Sequence, residues 1–457
     1  MTKNKYFLII LMIFLLFIIP ATSANDNTTD IIEIDNGDSI SDDNLLNENV
    51  GNTENILSDA SPHKELTDDD LKNDSKIYLT NGEYDYKQEY EHKNITFIGE
   101  DTSKTIINGN GSTIHITEFL SFSNLTLKNI KIQAPENLIA SNVIFRDFKY
   151  KYSEDFPTGM IYNGYTDSSN INFMNCTFYN NTNLDAGVLE VYYSTVNIKD
   201  SKIIDNENVV SDSYITYGII YASKSNLTIY NCEFINNKIG SPSGVLTCEK
   251  SAINITDSKF VNNTAKSTPC IRVNQADALI DGCEFINNTG TSSYGSVYMS
   301  RGNLNISNCE FINNSAGRRG GSIYYTTYDL FNFTVDNCTF DVPGVVGVKS
   351  YTGGDKNIAV VGCDVDDTMH SILQMDSVDG LAVDGCTVES KNGINLNSST
   401  NVTVTNSTID VSGYALRAGQ SGSGNGAPVI SLTGNTIHTD GSEGDAAIII
   451  RSTASKA

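Results

Sequence analysis

Basic residues are scarce in this chain: 30 Lys and Arg stand against 55 Asp and Glu over 457 residues, a formal net charge of −25. Nucleic-acid binding needs a basic footprint, so that class of partner is excluded first. Tryptophan is absent, and His63, His92, His115 and His438 lie scattered with no nucleophile motif beside them. The Cys-x-x-Cys and Cys/His spacings of metal sites are missing, so no metal and no cofactor is expected. Past the first two dozen residues no apolar run reaches the ~20 residues of a membrane span.

What is present begins with an export signal. Lys3 and Lys5 form a basic start, Phe7 to Ile19 an apolar stretch, and Ala21-Thr-Ser-Ala24 a small-residue cleavage site. Residues 1–24 therefore read as a signal peptide, and the mature chain is expected outside the cell or on its surface without a transmembrane span. Residues 25–74 are acidic, rich in Asn and Ser and nearly free of aromatics. Such a stretch buries too little apolar area to offset its ordering entropy, and a disordered spacer is expected there.

The remainder repeats itself. Asn231-Cys-Glu-Phe-Ile-Asn-Asn237, Gly282-Cys-Glu-Phe-Ile-Asn-Asn288 and Asn308-Cys-Glu-Phe-Ile-Asn-Asn314 share one phrase, with weaker copies at Asn175-Cys-Thr-Phe178, Asp257-Ser-Lys-Phe-Val-Asn-Asn263 and Asn337-Cys-Thr-Phe340. A recurrence of about 25 residues signals a solenoid. Between phrases the chain is rich in Thr, Val, Ile, Tyr, Asn and Gly and alternates with period two, which sets helical repeats aside. The expected fold is all-β: a right-handed parallel β-helix over residues 75–457 with an N-terminal cap. Its coils are Asn/Phe-rich to about residue 345 and Gly/Asp-rich afterwards. Leu66 to Leu71 is expected as a short helix within the cap.

Each coil reads as Gly-x-apolar-Tyr, a short polar turn, x-Leu-x-Ile, then Asn-Cys-x-Phe-x-Asn-Asn. The Gly positions are Gly187, Gly218, Gly244, Gly295 and Gly321, with Cys270 expected in the same slot. Alternation turns Leu227, Ile229, Cys232 and Phe234 inward. Coil stacking should then align Phe178, Phe234, Phe260, Phe285, Phe311 and Phe340. Cys176, Cys232, Cys283, Cys309, Cys338, Cys363 and Cys386 share one position with Ser201, Ser258 and Ser407, so the slot wants a small side chain. Free buried thiols are expected, although neighbouring coils ~4.8 Å apart fall within disulfide range. The Asn-Asn pairs suit tight corners and a buried amide ladder.

The Phe-x-x-Asn repeats at Phe234, Phe285 and Phe311, with Gly320-Gly-Ser-Ile323, resemble the repeats of chlamydial polymorphic outer-membrane proteins. Ile77-Tyr-Leu-Thr-Asn-Gly-Glu-Tyr84 and Asn94-Ile-Thr-Phe-Ile-Gly99 are similar to segments of adhesin-like surface proteins of methanogenic archaea. Both resemblances imply the pectin-lyase-like β-helix and a surface role, and neither specifies a ligand.

Two groups of residues are candidates for function. Three positions beyond the corner Gly, an outward slot holds Tyr221, Tyr298 and Tyr324, with Glu190 and Thr247 in other coils. Exposed tyrosines on a flat sheet stack on sugar rings, so these three are the expected ligand contacts. Asp364, Asp366, Asp367 and His370 form the best acidic cluster, the place to look for glycosidase or lyase chemistry on acidic polysaccharide. Asn-x-Ser/Thr sequons abound, among them Asn226, Asn254, Asn262, Asn287 and Asn313, and some fall at corners expected to be buried. The sequence points to an adhesin-like, non-catalytic binder of glycans or other cell-surface ligands. An enzyme acting on acidic polysaccharide and a passive envelope rod are the alternatives.

Overall fold

The structure is a computed structural model that describes residues 53–57, 63–149, 159–164, 167–183, 187–208, 217–291, 294–316, 322–327, 332–341, 346–351, 355–419, 429–440 and 447–451. The signal segment and much of the acidic stretch lie outside the described residues. Among the described residues every regular element is a strand, and the strands pair in parallel, in register except for shifts after Asp355 and Asp367. The chain forms a right-handed parallel β-solenoid.

Three ladders make its faces. The first sheet stacks segments such as Asn226–Tyr230, Ala252–Thr256 and Asp277–Asp281. The second stacks Glu233–Ile235, Lys259–Val261 and Glu284–Ile286. The third stacks Ile220–Ser223, Leu246–Glu249 and Ile271–Asn274. A short fourth ladder from Thr182–Asn183 to Thr289–Gly290 joins the central coils. The inward positions of the first sheet are apolar here: Leu227 and Ile229 sit over Ile253 and Ile255, then over Ala278 and Ile280. The core is one continuous column along the interior.

The aromatic stack forms as the phrase spacing requires. Phe234, Phe260, Phe285, Phe311 and Phe340 follow one another with ring centroids 4.6–5.0 Å apart and planes within 10° of parallel. That spacing is the strand separation itself, since identical rotamers on successive rungs translate by ~4.8 Å. Ile203 interrupts the column, and beyond it Phe178 stacks on Phe145 at 4.6 Å. Each buried Phe contributes ~1.5–3 kcal/mol.

Three corners per coil share one device: an outward residue in the left-handed region, followed by a small inward side chain. Between the first and second sheets Asn231, Asp257, Gly282 and Asn308 have φ of 50, 49, 61 and 52°. Cys232, Ser258, Cys283 and Cys309 follow them, buried. The Ser258 hydroxyl accepts the Cys232 N–H at 3.0 Å, and Cys283 N–H reaches Cys309 Sγ at 3.4 Å. All nine cysteines are free and buried. After the second sheet Asn236, Asn262, Asn287 and Asn313 turn the chain with φ of 49–55°. Their neighbours Asn237, Asn263, Asn288 and Asn314 are fully buried as an amide ladder. Between the third and first sheets the turning residues are Tyr193, Lys224, Lys250, Gln275 and Arg301.

Three expectations change. Thr53–Leu57 pairs with Ser75–Leu79, and His63–Leu66 with Gly82–Tyr86, so the ladders take in residues expected as spacer and cap. Leu66 to Leu71 is not a helix: Leu66 ends a strand and Thr67 to Asp70 make a single turn, the Asp70 carboxylate accepting the Thr67 N–H at 3.1 Å. Register also puts Pro269, not Cys270, in the corner-Gly column, because Leu246 pairs with Ile271. The column favours Gly for a steric reason: a Cβ at Gly218 would lie 2.1 Å from the Gly244 carbonyl oxygen.

Candidate functional site

The outward column of the third sheet has the expected members. Tyr162, Glu190, Tyr221, Thr247, Arg272, Tyr298 and Tyr324 succeed one another rung by rung. Their exposure differs from expectation. Tyr221 and Tyr324 are buried, at 6% and 4%, and Tyr298 is half-buried. The covering rings come from the chain just before each strand. Tyr217 packs edge-on against Tyr221 at 4.5 Å, and Tyr294 stacks on Tyr298 at 4.2 Å and on Tyr324 at 5.3 Å. The Tyr221 hydroxyl meets Glu249 at 3.3 Å, and the Arg272 guanidinium lies over the Tyr298 ring. The tyrosines are thus the filling of a second, outer core and not an open stacking face.

Glu190 anchors the neighbouring part of that core. It is 1% exposed, accepts the Tyr192 hydroxyl at 2.9 Å, and accepts the Gly159 N–H at 3.0 Å. Burial, then the Glu190 charge, hold the Tyr192 hydroxyl far above its ordinary pKa. Lys131, whose ammonium lies 4.5 Å from the Tyr162 ring centre, is pushed below its ordinary value by burial, with Glu190 opposing the shift.

The open surface lies at the corner between the third and first sheets. A trough of about 710 Å³ runs there, its lining including His115, Gln133, Glu136, Asp167, Tyr193 and Thr195. Buried Asn163 fixes its wall, accepting the Tyr192 N–H at 2.8 Å and donating to the Tyr192 carbonyl at 2.9 Å. His115 is held to Gln133 at 2.9 Å. Tyr193 is 45% exposed at the rim, and the Lys224 ammonium sits 4.5 Å from its ring centre. Farther along the same corner a second trough of about 450 Å³ lies beside Lys250, Gln275 and Arg301. The sequence does carry a signal for this column. In Lys224-Ser-x-Leu, Lys250-Ser-x-Ile, Gln275-Ala-x-Ala and Arg301-Gly-x-Leu one slot precedes the small residue that opens the first sheet. Charge at a turn is ordinary, so from sequence alone the slot reads as a short polar turn.

Of the acidic cluster, Asp364 falls on the outside of the second sheet. Asp364 is exposed, in register with Thr339 and Thr387. Asp366 pairs with Asp341 on one side and Glu389 on the other. Its register neighbours are thus carboxylates, not the Arg or Lys that acid–base chemistry there would want. The side chains of residues 366–372 lie outside the described residues. The sequons also differ from expectation: Asn262, Asn287 and Asn313 are the exposed first members of their pairs, and the buried ladder uses the second.

The geometry defines a class, the right-handed parallel β-solenoids with closed coils and an Asn ladder. Residues 207–365 match the family model described as right handed beta helix region. Comparison with curated protein sequences finds no match. Among solved structures, an alginate lyase, AlyF-OU02, in complex with G6 is similar at 12% identity, over 81% of this chain and 79% of that one, with a TM-score of 0.35. A GH87 alpha-1,3-glucanase from Streptomyces thermodiastaticus is similar at 10% identity, over 83% and 68%, with a TM-score of 0.28. The A-module of the Azotobacter vinelandii mannuronan C-5 epimerase AlgE4 is similar at 10% identity, over 83% and 89%, with a TM-score of 0.23. Likenesses at this level carry no argument about what this chain does. No helix of the described residues is long and apolar enough to cross a membrane.

Proposed function

We propose that this chain is an exported or surface-displayed β-solenoid that binds glycans without turning them over, through the corner between its third and first sheets. The observation that carries the reading is the open polar trough of about 710 Å³ with the exposed Tyr193 ring on its rim. An aromatic face beside convergent hydroxyls, amides and carboxylates is the usual dress of a sugar site, and a rigid ladder holds it without ordering cost. Export rests on the apolar run Phe7 to Ile19 behind Lys3 and Lys5.

One observation favours a second reading, a polysaccharide lyase or hydrolase. Lys131, its pKa lowered by burial, near buried Glu190, is the kind of perturbed pair that active sites contain. Both oxygens of Glu190 are already hydrogen-bonded within the fold, which favours a structural role.

A glycan array probed with the full chain, with the same samples followed for reducing ends and for unsaturated uronate absorbance, separates the readings. Saturable binding without product, weakened by Tyr193→Ala, is the expected result. Product release abolished by Lys131→Met would replace the binder with the enzyme, and silence in every channel would remove both.

A further inference from the structure

Four successive coils place Lys224, Lys250, Gln275 and Arg301 at the same left-handed corner position, with φ of 51, 52, 54 and 66°. Each backbone N–H is tied to the next coil: Lys224 to Glu249 O at 2.8 Å, Lys250 to Asn274 O at 2.8 Å, Gln275 to Ser300 O at 2.7 Å, and Arg301 to Thr326 O at 3.0 Å. The column is therefore as regular as the ladder, climbing ~4.8 Å per coil. The trough of about 450 Å³ lies along these corners, beside Ser251, Ala276 and Gly302 that follow them. The coils approach closely there, since a Cβ on Gly302 would lie 1.8 Å from the Ala276 carbonyl oxygen. Lys250 is exposed, and among the described residues its ammonium has no hydrogen bond or ion pair. Asp277 also lines the trough, its carboxylate accepting from Asn303 N at 2.8 Å and from Asn303 Nδ2 at 3.0 Å.

We infer that this column binds an acidic glycan strand lying along the solenoid axis, with carboxylates or sulfates on Lys224, Lys250 and Arg301. The inference rests on the glycan-binding reading and specifies the ligand. A step of ~4.8 Å per coil is close to the advance of one ring along an extended polysaccharide, so successive rings meet Lys224, Lys250, the neutral amide of Gln275, and Arg301. Charge-assisted hydrogen bonds from ammonium and guanidinium are the strong contacts for such groups. The chain's net charge of −25 does not forbid an anionic partner. At physiological salt fields are screened beyond ~8 Å, so a bound strand responds to the local column. Tyr193, one coil before Lys224, holds that ammonium against its ring and through its hydroxyl, and the half-exposed ring and the ammonium together end the track.

The test compares the full chain with a Lys224→Asn/Lys250→Asn double variant. Asn is at home in the left-handed region, so the corners survive, and matching thermal melts would verify this. Probes are polygalacturonate oligosaccharides, heparin and neutral dextran, read by biolayer interferometry at low and high salt. The expected result is at least tenfold weaker binding of polygalacturonate or heparin by the variant, about 1.4 kcal/mol, with wild-type binding weakened by salt. Equal binding by the two proteins would overturn the inference. Binding of dextran alone would overturn the acidic ligand and leave the glycan-binding reading standing, whereas no binding of any glycan would remove both.

Discussion

Replacing Asn263 by Ala probes the amide ladder where its partners are fully defined. The Asn263 side-chain oxygen accepts both the backbone N–H and the Nδ2 of Asn237 at 3.0 Å. Its Nδ2 donates to Phe234 O at 2.9 Å and to Asn288 Oδ1 at 3.0 Å. Ala removes the acceptor and leaves two N–H hydrogens of Asn237 unpaired in a site with no solvent exposure, the backbone one and one of the two on Nδ2, whose other hydrogen stays on Ile203 O at 2.8 Å. Each buried orphan costs ~1–3 kcal/mol, so the loss is ~2–6 kcal/mol. The next residue back supplies the control. Asn262 is exposed and its role is its φ of 55°, so Asn262→Ala costs only the left-handed penalty of ~1–2 kcal/mol. Solenoids lose stability locally, so native-state hydrogen exchange across residues 226–290 is the assay, supported by urea unfolding. The expectation is accelerated exchange in the coils on both sides of residue 263 and a far smaller change for Asn262→Ala. If the two substitutions cost the same, the buried ladder does not work as described.

Further expectations follow from the same contacts. Phe260→Ala empties a slot between Phe234 at 4.7 Å and Phe285 at 5.0 Å and should cost ~3–5 kcal/mol in denaturant unfolding. Gly302→Ala, driven against the Ala276 carbonyl, should reach the upper end of the ~1–3 kcal/mol typical of overpacking. Burial pushes the thiols of Cys232 and Cys248 up to about 12, so iodoacetamide at mildly alkaline pH should label them only after denaturation, by mass spectrometry. A hydrogen bond from the His438 ring to the Asp410 carboxylate, then the charge of that carboxylate, raise the pKa of His438 above the ordinary ~6.5. The sign is that of a raised group: its stabilisation is full below the unfolded value and fades as pH climbs through the folded one. An NMR titration should find a midpoint above the ordinary value that Asp410→Asn lowers.

The sequence was most legible where one side chain answers to one geometric demand. Phe234, Phe260, Phe285 and Phe311 recur because a rung admits one ring, and the Cys/Ser slot recurs because its corner admits only a small side chain. Period-two alternation correctly turned Tyr221, Tyr298 and Tyr324 away from the inner core. It says nothing of what then covers them, because Tyr217 and Tyr294 lie in loops whose path no periodicity encodes. The same limit hid the corner between the third and first sheets. Tyr193, Lys224, Lys250, Gln275 and Arg301 differ chemically, and what they share is a backbone angle that Asn or Gly usually signals. The ladders' early start at Thr53–Leu57 is not legible in the sequence, because five residues in an acidic stretch are too few to display a pattern.

The most direct test of glycan binding at the corner is a hydrogen-exchange footprint of the full chain with a saturating glycan identified on the array. The account predicts slowed exchange at residues 193–195, 224–226, 250–252, 275–277 and 301–303, where the corner meets the first sheet, with the ligand recovered intact. Protection confined to the second sheet around Asp364, or ligand recovered as fragments, would contradict it.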